Sequence, residues 1–126
     1  MPKPSLLQLE DVPGGPSAGT LIVRLEDIPE HGGKDVLYKN GAFQVNIFVQ
    51  RHAGTVRVYE NRCPHAGTPL NMFGDKFLNV TKDALICRTH GALFDIATGL
   101  CTAGPCRGKH LRPIDFEVRD GALYTL

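Results

Sequence analysis

Cys87-Arg88-Thr89-His90-Gly91-Ala92-Leu93-Phe94-Asp95 decides the reading of this chain. Apolar Ala84-Leu85-Ile86 runs directly into Cys87, and Leu93-Phe94 leaves the other side, so a tight loop hangs between two short strands. Upstream, Cys63-Pro64-His65-Ala66-Gly67 repeats the theme, and together the two stretches read C-x-H-x21-C-x2-H. Pro64, Gly67, Pro69, Gly91 and Gly104-Pro105 permit tight turns with backbone N–H groups aimed inward. Two thiolates and two imidazoles on two loops form a mixed sulfur/nitrogen set. Such a set suits a soft transition metal or an iron–sulfur cluster.

Outward from these loops the signals are those of short strands. Leu21-Ile22-Val23-Arg24-Leu25 is stopped by Asp27-Ile28-Pro29. Val36-Leu37-Tyr38 and Phe43-Gln44-Val45-Asn46-Ile47-Phe48-Val49 flank Asn40-Gly41, a hairpin signal. Phe43, Val45, Ile47 and Val49 alternate with mostly polar residues, which predicts one buried face. Val56-Arg57-Val58-Tyr59 follows a turn at Ala53-Gly54, and Ala97-Thr98-Gly99 turns the chain again. Ile114-Asp115-Phe116-Glu117-Val118 and Ala122-Leu123-Tyr124 flank a second hairpin turn, Asp120-Gly121. No window holds a helical period, and Met72 to Val80 is the one place for a short helical or irregular piece. No internal repeat is read. The fold class is all-β. Residues 1–19, with four prolines and three glycines, read as an N-terminal tail or strap packing at a neighbour's surface, and the domain as residues 20–126.

The 126 residues suit one domain with its own core, and the net charge of +1, from 14 basic and 13 acidic residues, is unlike the footprint of a nucleic-acid binder. No segment is apolar and long enough to span a bilayer as a helix, and Met1-Pro2-Lys3-Pro4 lacks the apolar region of a secretory signal. The expected compartment is therefore the cytoplasm. There Cys63, Cys87, Cys101 and Cys106 are thiols or ligands and not a disulfide frame. Cys101 and Cys106 are expected to be buried small apolar residues. His31, His52 and His110, in Gly- or charge-flanked segments, read as solvated surface side chains. Arg62, Arg88, Arg107 and Lys109, near the loops in sequence, read as a solvated rim or as a basic collar that orients an acidic partner.

Cys63-Pro64-His65-Ala66-Gly67, Cys87 through Asp95, Thr98-Gly99 and Gly104-Pro105 together resemble a Rieske iron–sulfur protein across residues of about 20 to 126. The resemblance implies an antiparallel β-sandwich with a small cluster-binding subdomain of two loops, about 62–70 and 87–94, and a covering loop at about 102–106. It implies a [2Fe-2S] cluster with Cys63 and Cys87 on one iron and His65 and His90 on the other. Replacing two thiolates by neutral imidazoles leaves the oxidised cluster formally neutral, which eases reduction and sets potentials of roughly −150 to +300 mV. High-potential members carry an additional cysteine in each loop, joined as a disulfide, and serine and tyrosine hydroxyls near the cluster. The matching positions here are Thr68, Thr89, Ala92 and Phe94, which implies the low-potential end. Arg88 stands where many relatives have proline.

The implied role is that of a soluble one-electron carrier, similar to the ferredoxin that takes electrons from a flavin reductase and passes them to a terminal aromatic-ring oxygenase. Its partners are redox proteins, with no nucleic acid, membrane or small-molecule substrate of its own. No Ser/His/Asp set, phosphate-cradling loop or dinucleotide fingerprint suggests an enzyme, and the chain has no room for a mono-iron catalytic domain. The alternatives are a small Rieske-type subunit of a nitrite reductase-like enzyme, and a non-redox module with structural zinc or a vestigial cluster.

Overall fold

The computed structural model describes residues 4–65, 67–71 and 76–126. Ala66 of the first loop and Met72 to Asp75, the start of the segment read as helical or irregular, lie outside them. Among the described residues nine antiparallel strands make three three-stranded sheets, and the helical structure is confined to two single 3-10 turns. β1 (Leu21–Arg24), β9 (Ala122–Thr125) and β8 (Phe116–Arg119) form the first sheet in that order. β2 (Gly33–Asn40), β3 (Phe43–His52) and β4 (Thr55–Glu60) form the second, a meander. β5 (Leu85–Ile86), β6 (Leu93–Phe94) and β7 (Cys101–Ala103) form the third and smallest.

Two-residue turns set the registers. Ala53-Gly54 and Asp120-Gly121 each place both central residues at positive φ, the backbone that matches the twist of the flanking strands. The first hairpin turns one residue later than Asn40-Gly41 suggests: Asn40 pairs with Phe43, leaving Gly41-Ala42 as the loop. Gly41, at φ 63°, supplies the left-handed position that a two-residue loop needs first.

The single buried face expected of β3 is only half of what it does. Val45, Ile47 and Val49 enter a core shared with Ile22, Val23, Val58, Ile114 and Leu123, between the two larger sheets. Phe48, on the opposite face, is fully buried too, stacked on Phe77 with ring centroids 4.4 Å apart. Phe48 and Tyr59 thereby open a second core, which also holds Leu70, Leu85, Phe94, Leu111 and all four cysteines. β3 and β4 are thus the floor on which the third sheet stands. Phe43, expected inside, is 60% exposed because it sits at the turn end of the hairpin, next to the Gly41-Ala42 loop.

Residues 7–12 are not a free tail but a strap on this chain's own core. Leu9 is fully buried, and Leu7 donates its N–H to the Pro113 carbonyl and accepts from the Asp115 N–H. The strap carries a repeat that the sequence reading missed. Leu9-Glu10-Asp11-Val12-Pro13 and Leu25-Glu26-Asp27-Ile28-Pro29 each fold their Leu-Glu-Asp into one 3-10 turn, and both pack on the same core. The third sheet was also only partly legible: β7 lies in a segment read as turn and covering loop.

Tyr59 ties β4 to the turn that follows β6 within the second core, donating its hydroxyl to the Ile96 carbonyl at 2.7 Å. Burial pushes the phenol from the usual 10 up to about 12. The unfolded chain ionises first, so stability that is complete below pH 10 is lost as pH rises through about 12. Tyr59→Phe is expected to cost about 1 kcal/mol at neutral pH. It should also flatten the alkaline fall of the thermal unfolding midpoint; an unaltered slope would show that another group governs it.

Candidate metal centre

The two Cys/His loops are built as the same turn. Cys63 donates its N–H to the Thr68 carbonyl and accepts from the Gly67 N–H. Cys87 donates to the Ala92 carbonyl and accepts from the Gly91 N–H. In both loops a glycine four residues after the cysteine sits at positive φ, 73° for Gly67 and 74° for Gly91. That conformation is strained for any side chain with a Cβ, which explains the glycine in each motif. The two loops are therefore matched jaws.

Hydrogen bonds hold the jaws together. The Arg88 N–H donates to the Leu70 carbonyl at 3.0 Å, joining the second loop to the base of the first. Buried Asn61 accepts from the Leu70 N–H and donates its amide to Asn71. Asn61 is a positioning residue the sequence reading missed, because an asparagine beside a turn carries no distinguishing signal. Thr68 and Thr89, the positions matched to bridging cysteines, meet across the loops with their hydroxyl oxygens 3.2 Å apart. Thr68→Cys/Thr89→Cys should therefore close a disulfide in air, and the roughly 20-residue loop it seals is worth about 3 kcal/mol. The expected readout is two fewer free thiols and a higher unfolding midpoint that a reductant abolishes. A full thiol count would show the loops to be farther apart.

The sheet below fixes the rest of the motif. The Asp95 carboxylate accepts from the Thr98 N–H, and its carbonyl from the Gly99 N–H, so Asp95, Thr98 and Gly99 form one turn. Gly104 lies against Ala92; a Cβ there would stand 2.8 Å from the Ala92 Cα, so only glycine lets the covering turn close over the second loop. This is the place the sequence reading gave to a covering loop.

Inside this frame the four candidate ligands separate by type. Cys63 and Cys87 are buried, at 2% and 1% exposure. His65 and His90 are exposed at the loop tips, with ring centroids 4.8 Å apart. Among the described residues no group of three or more Cys, His, Asp and Glu side chains is arranged to hold a single metal ion. Two sulfurs within and two imidazoles without is a donor set for two linked metals, and the residues present fit a [2Fe-2S] cluster.

Residues 20–118 match the Rieske [2Fe-2S] domain. The chain belongs to the Rieske [2Fe-2S] domain family. The family carries a [2Fe-2S] cluster, typically held by two cysteines and two histidines. The chain is similar, at 31% identity over 84 residues, to oxidoreductase NdmD of Pseudomonas putida; the match covers 67% of this chain and 13% of that protein. The chain thus spans only a small part of that relative. In three dimensions it resembles the ferredoxin of carbazole 1,9a-dioxygenase from Nocardioides aromaticivorans IC177, with a TM-score of 0.65 and 23% identity over 86% of this chain and 97% of that one. It also resembles a chain in the complex of reduced oxygenase and oxidized ferredoxin of carbazole 1,9a-dioxygenase, with a TM-score of 0.68 and 21% identity over 87% and 94%.

The basic and histidine residues around the Rieske site are not one class. Arg88 is half-buried and donates a guanidinium N–H to the Leu78 carbonyl at 3.0 Å, so it is committed inside the fold. Arg62, Arg107 and Lys109 are exposed. His110, expected in solvent, is half-buried beside His65 in a cleft shared with Glu60, Arg62 and Arg112. His31 and His52 are paired edge to face at 5.3 Å, and His52 Nε2 lies 3.0 Å from the Lys82 carbonyl, away from the loops in sequence.

Cys101 and Cys106 are buried as expected but do not stand alone. Their sulfurs are 2.9 Å apart, and Cys106 also hydrogen-bonds with Cys63. Burial, followed by these neighbouring sulfurs, pushes the Cys106 thiol up to about 12, so it stays protonated at neutral pH.

Proposed function

We propose that this chain is a one-electron carrier in which Cys63 and Cys87 hold one iron of the cluster and His65 and His90 the other. The observation that carries the reading is the segregation of the ligands, with the sulfurs buried and both imidazoles exposed side by side. When bound, the cluster supplies reversible one-electron chemistry near neutral charge. The buried cysteines and the surrounding apolar core keep water from the sulfur side. His65 and His90 present conjugated rings to a partner and shorten the path by which an electron leaves.

The likeness to the ferredoxin of a carbazole dioxygenase supports a place between a flavin reductase and a terminal oxygenase. Among the described residues no helix is long and apolar enough to cross a membrane, in keeping with a cytoplasmic carrier. Docking is oriented by Arg107 and Lys109, exposed on the covering turn that packs against Ala92, with Arg62 on the first loop. Arg88 is left out of this rim because its guanidinium is tied to the backbone.

Stopped-flow transfer from the reduced chain to an oxygenase tests both parts. Arg107→Glu/Lys109→Glu is expected to slow the second-order rate on the order of tenfold at low salt, with the difference vanishing as the Debye length shortens. Transfer that fails altogether would refute the carrier; a fast rate with the same salt dependence in both proteins would refute the rim.

A further inference from the structure

Four cysteines share one buried core, but only two are needed for the cluster. The remaining pair is placed by the backbone. Cys101 opens β7 and donates its N–H to the Lys109 carbonyl, while its own carbonyl accepts from the Gly108 N–H. Lys109 in turn donates to the Cys106 carbonyl. These bonds fold residues 101–109 into a compact turn that drives both thiols to its inner side. The result is a Cys-Thr-Ala-Gly-Pro-Cys segment whose two sulfurs touch at 2.9 Å, each residue only 1% exposed. Two buried thiols in contact on one short turn are placed to join.

We propose that Cys101 and Cys106 form a redox site of their own, a dithiol that a peroxide closes to a disulfide beside the cluster. Cys101, whose sulfur accepts the Cys106 S–H, gives up its proton, attacks the peroxide oxygen, breaking the O–O bond, and becomes a sulfenic acid. The second sulfur then displaces water from it, forming the S–S bond. With hydrogen peroxide the two thiols lose two protons and two electrons, and the oxidant leaves as two waters. Gly104, Pro105 and Arg107 on the outer side of the turn are exposed, so a small oxidant has only this short segment to pass. A thiol reductant reverses the step by exchange.

Closure also removes a hydrogen from the vicinity of the cluster. The Cys106 thiol is in hydrogen-bond contact with Cys63 as well as with Cys101, and a hydrogen shared with ligand sulfur favours the reduced, more negative state. The bridged form should therefore have the lower midpoint potential. That consequence rests on Cys63 as a ligand, whereas the bridge itself does not.

Trypsin separates the cysteines. Cleavage after Lys76, Lys82, Arg88 and Arg107 leaves Cys63, Cys87 and the Cys101/Cys106 pair on three different peptides. The holoprotein is treated with hydrogen peroxide, quenched in acid, labelled with a maleimide, digested and weighed. The expected result is an unlabelled peptide 89–107, two hydrogens lighter, with Cys63 and Cys87 labelled and the visible spectrum retained. Full labelling at Cys101 and Cys106, or a bridge that recruits Cys63 or Cys87, overturns the site. Cys101→Ala is the control: peptide 89–107 then holds one cysteine and gives a labelled, over-oxidised or Cys63-linked peptide, never an internal bridge. A redox titration of the bridged holoprotein reads the second part. A lower midpoint supports the coupling, and an unchanged midpoint in a bridged protein overturns the coupling while leaving the site.

Discussion

Cys87→Ala is expected to yield colourless protein without iron, while Cys101→Ala and Cys106→Ala keep colour and iron. All four cysteines are buried in one core, so burial does not tell a ligand from a filler. What distinguishes Cys63 and Cys87 is the matched turn around each and the histidine that each turn exposes beside its neighbour. His65→Ala should lose most of the visible absorption as well, since imidazole supplies half of the donor set. The effect should reach the fold, because the third sheet is small. β5, β6 and β7 are two, two and three residues long, against eight and ten for β2 and β3. Such short ladders do not stand alone, and a metal group that binds only the folded state stabilises them by linkage. Hydrogen exchange of Cys87→Ala should show protection lost across residues 85–103 and kept in β2–β4. Coloured Cys87→Ala protein with its full iron would refute the ligand assignment.

The second large effect concerns potential. The wild-type midpoint is expected below that of the hydrogen electrode, and Ala92→Ser/Phe94→Tyr is expected to raise it by about 80–100 mV. Ala92 and Phe94 are buried at 1% and 0% exposure in the core that holds both candidate ligand sulfurs. Neither side chain has a hydrogen to donate. Each hydroxyl added there favours the reduced cluster by ~1 kcal/mol, and two shift a one-electron couple by the stated amount. The covering turn presses on Ala92 through Gly104, which holds a serine hydroxyl at the second loop instead of letting it turn to solvent. Redox titration followed by visible and electron-spin spectra reads both quantities. A wild-type midpoint well above zero, or a double variant unmoved from wild type, would refute the account.

Much of this was legible in the chain because it is local. Strand periodicity, the Asp120-Gly121 and Ala53-Gly54 turns and the two Cys/His loops depend on neighbours within a few residues. The errors fell where distant packing decides. Phe43 alternates as a buried residue does, yet no opposing surface covers it. Phe48 sits on what looked like a solvent face, yet Phe77 stacks on it. Leu9 belongs to a proline-rich stretch that reads as a tail or as a strap on a neighbour's surface, yet its apolar side chain reaches this chain's own core.

The same division holds at the site. Residue types and spacing alone pointed to Cys63, His65, Cys87 and His90 as candidate donors, because a metal group demands particular atoms on turns of particular length. Spacing could not say that the sulfurs lie inside and the imidazoles outside, that Thr68 meets Thr89, or that Arg88 is spent on the Leu78 carbonyl. Nor could it bring Cys101 and Cys106 into contact. Each of these depends on where separate strands carry their loops, and such positions are set by close packing of the whole core rather than by neighbours in the chain.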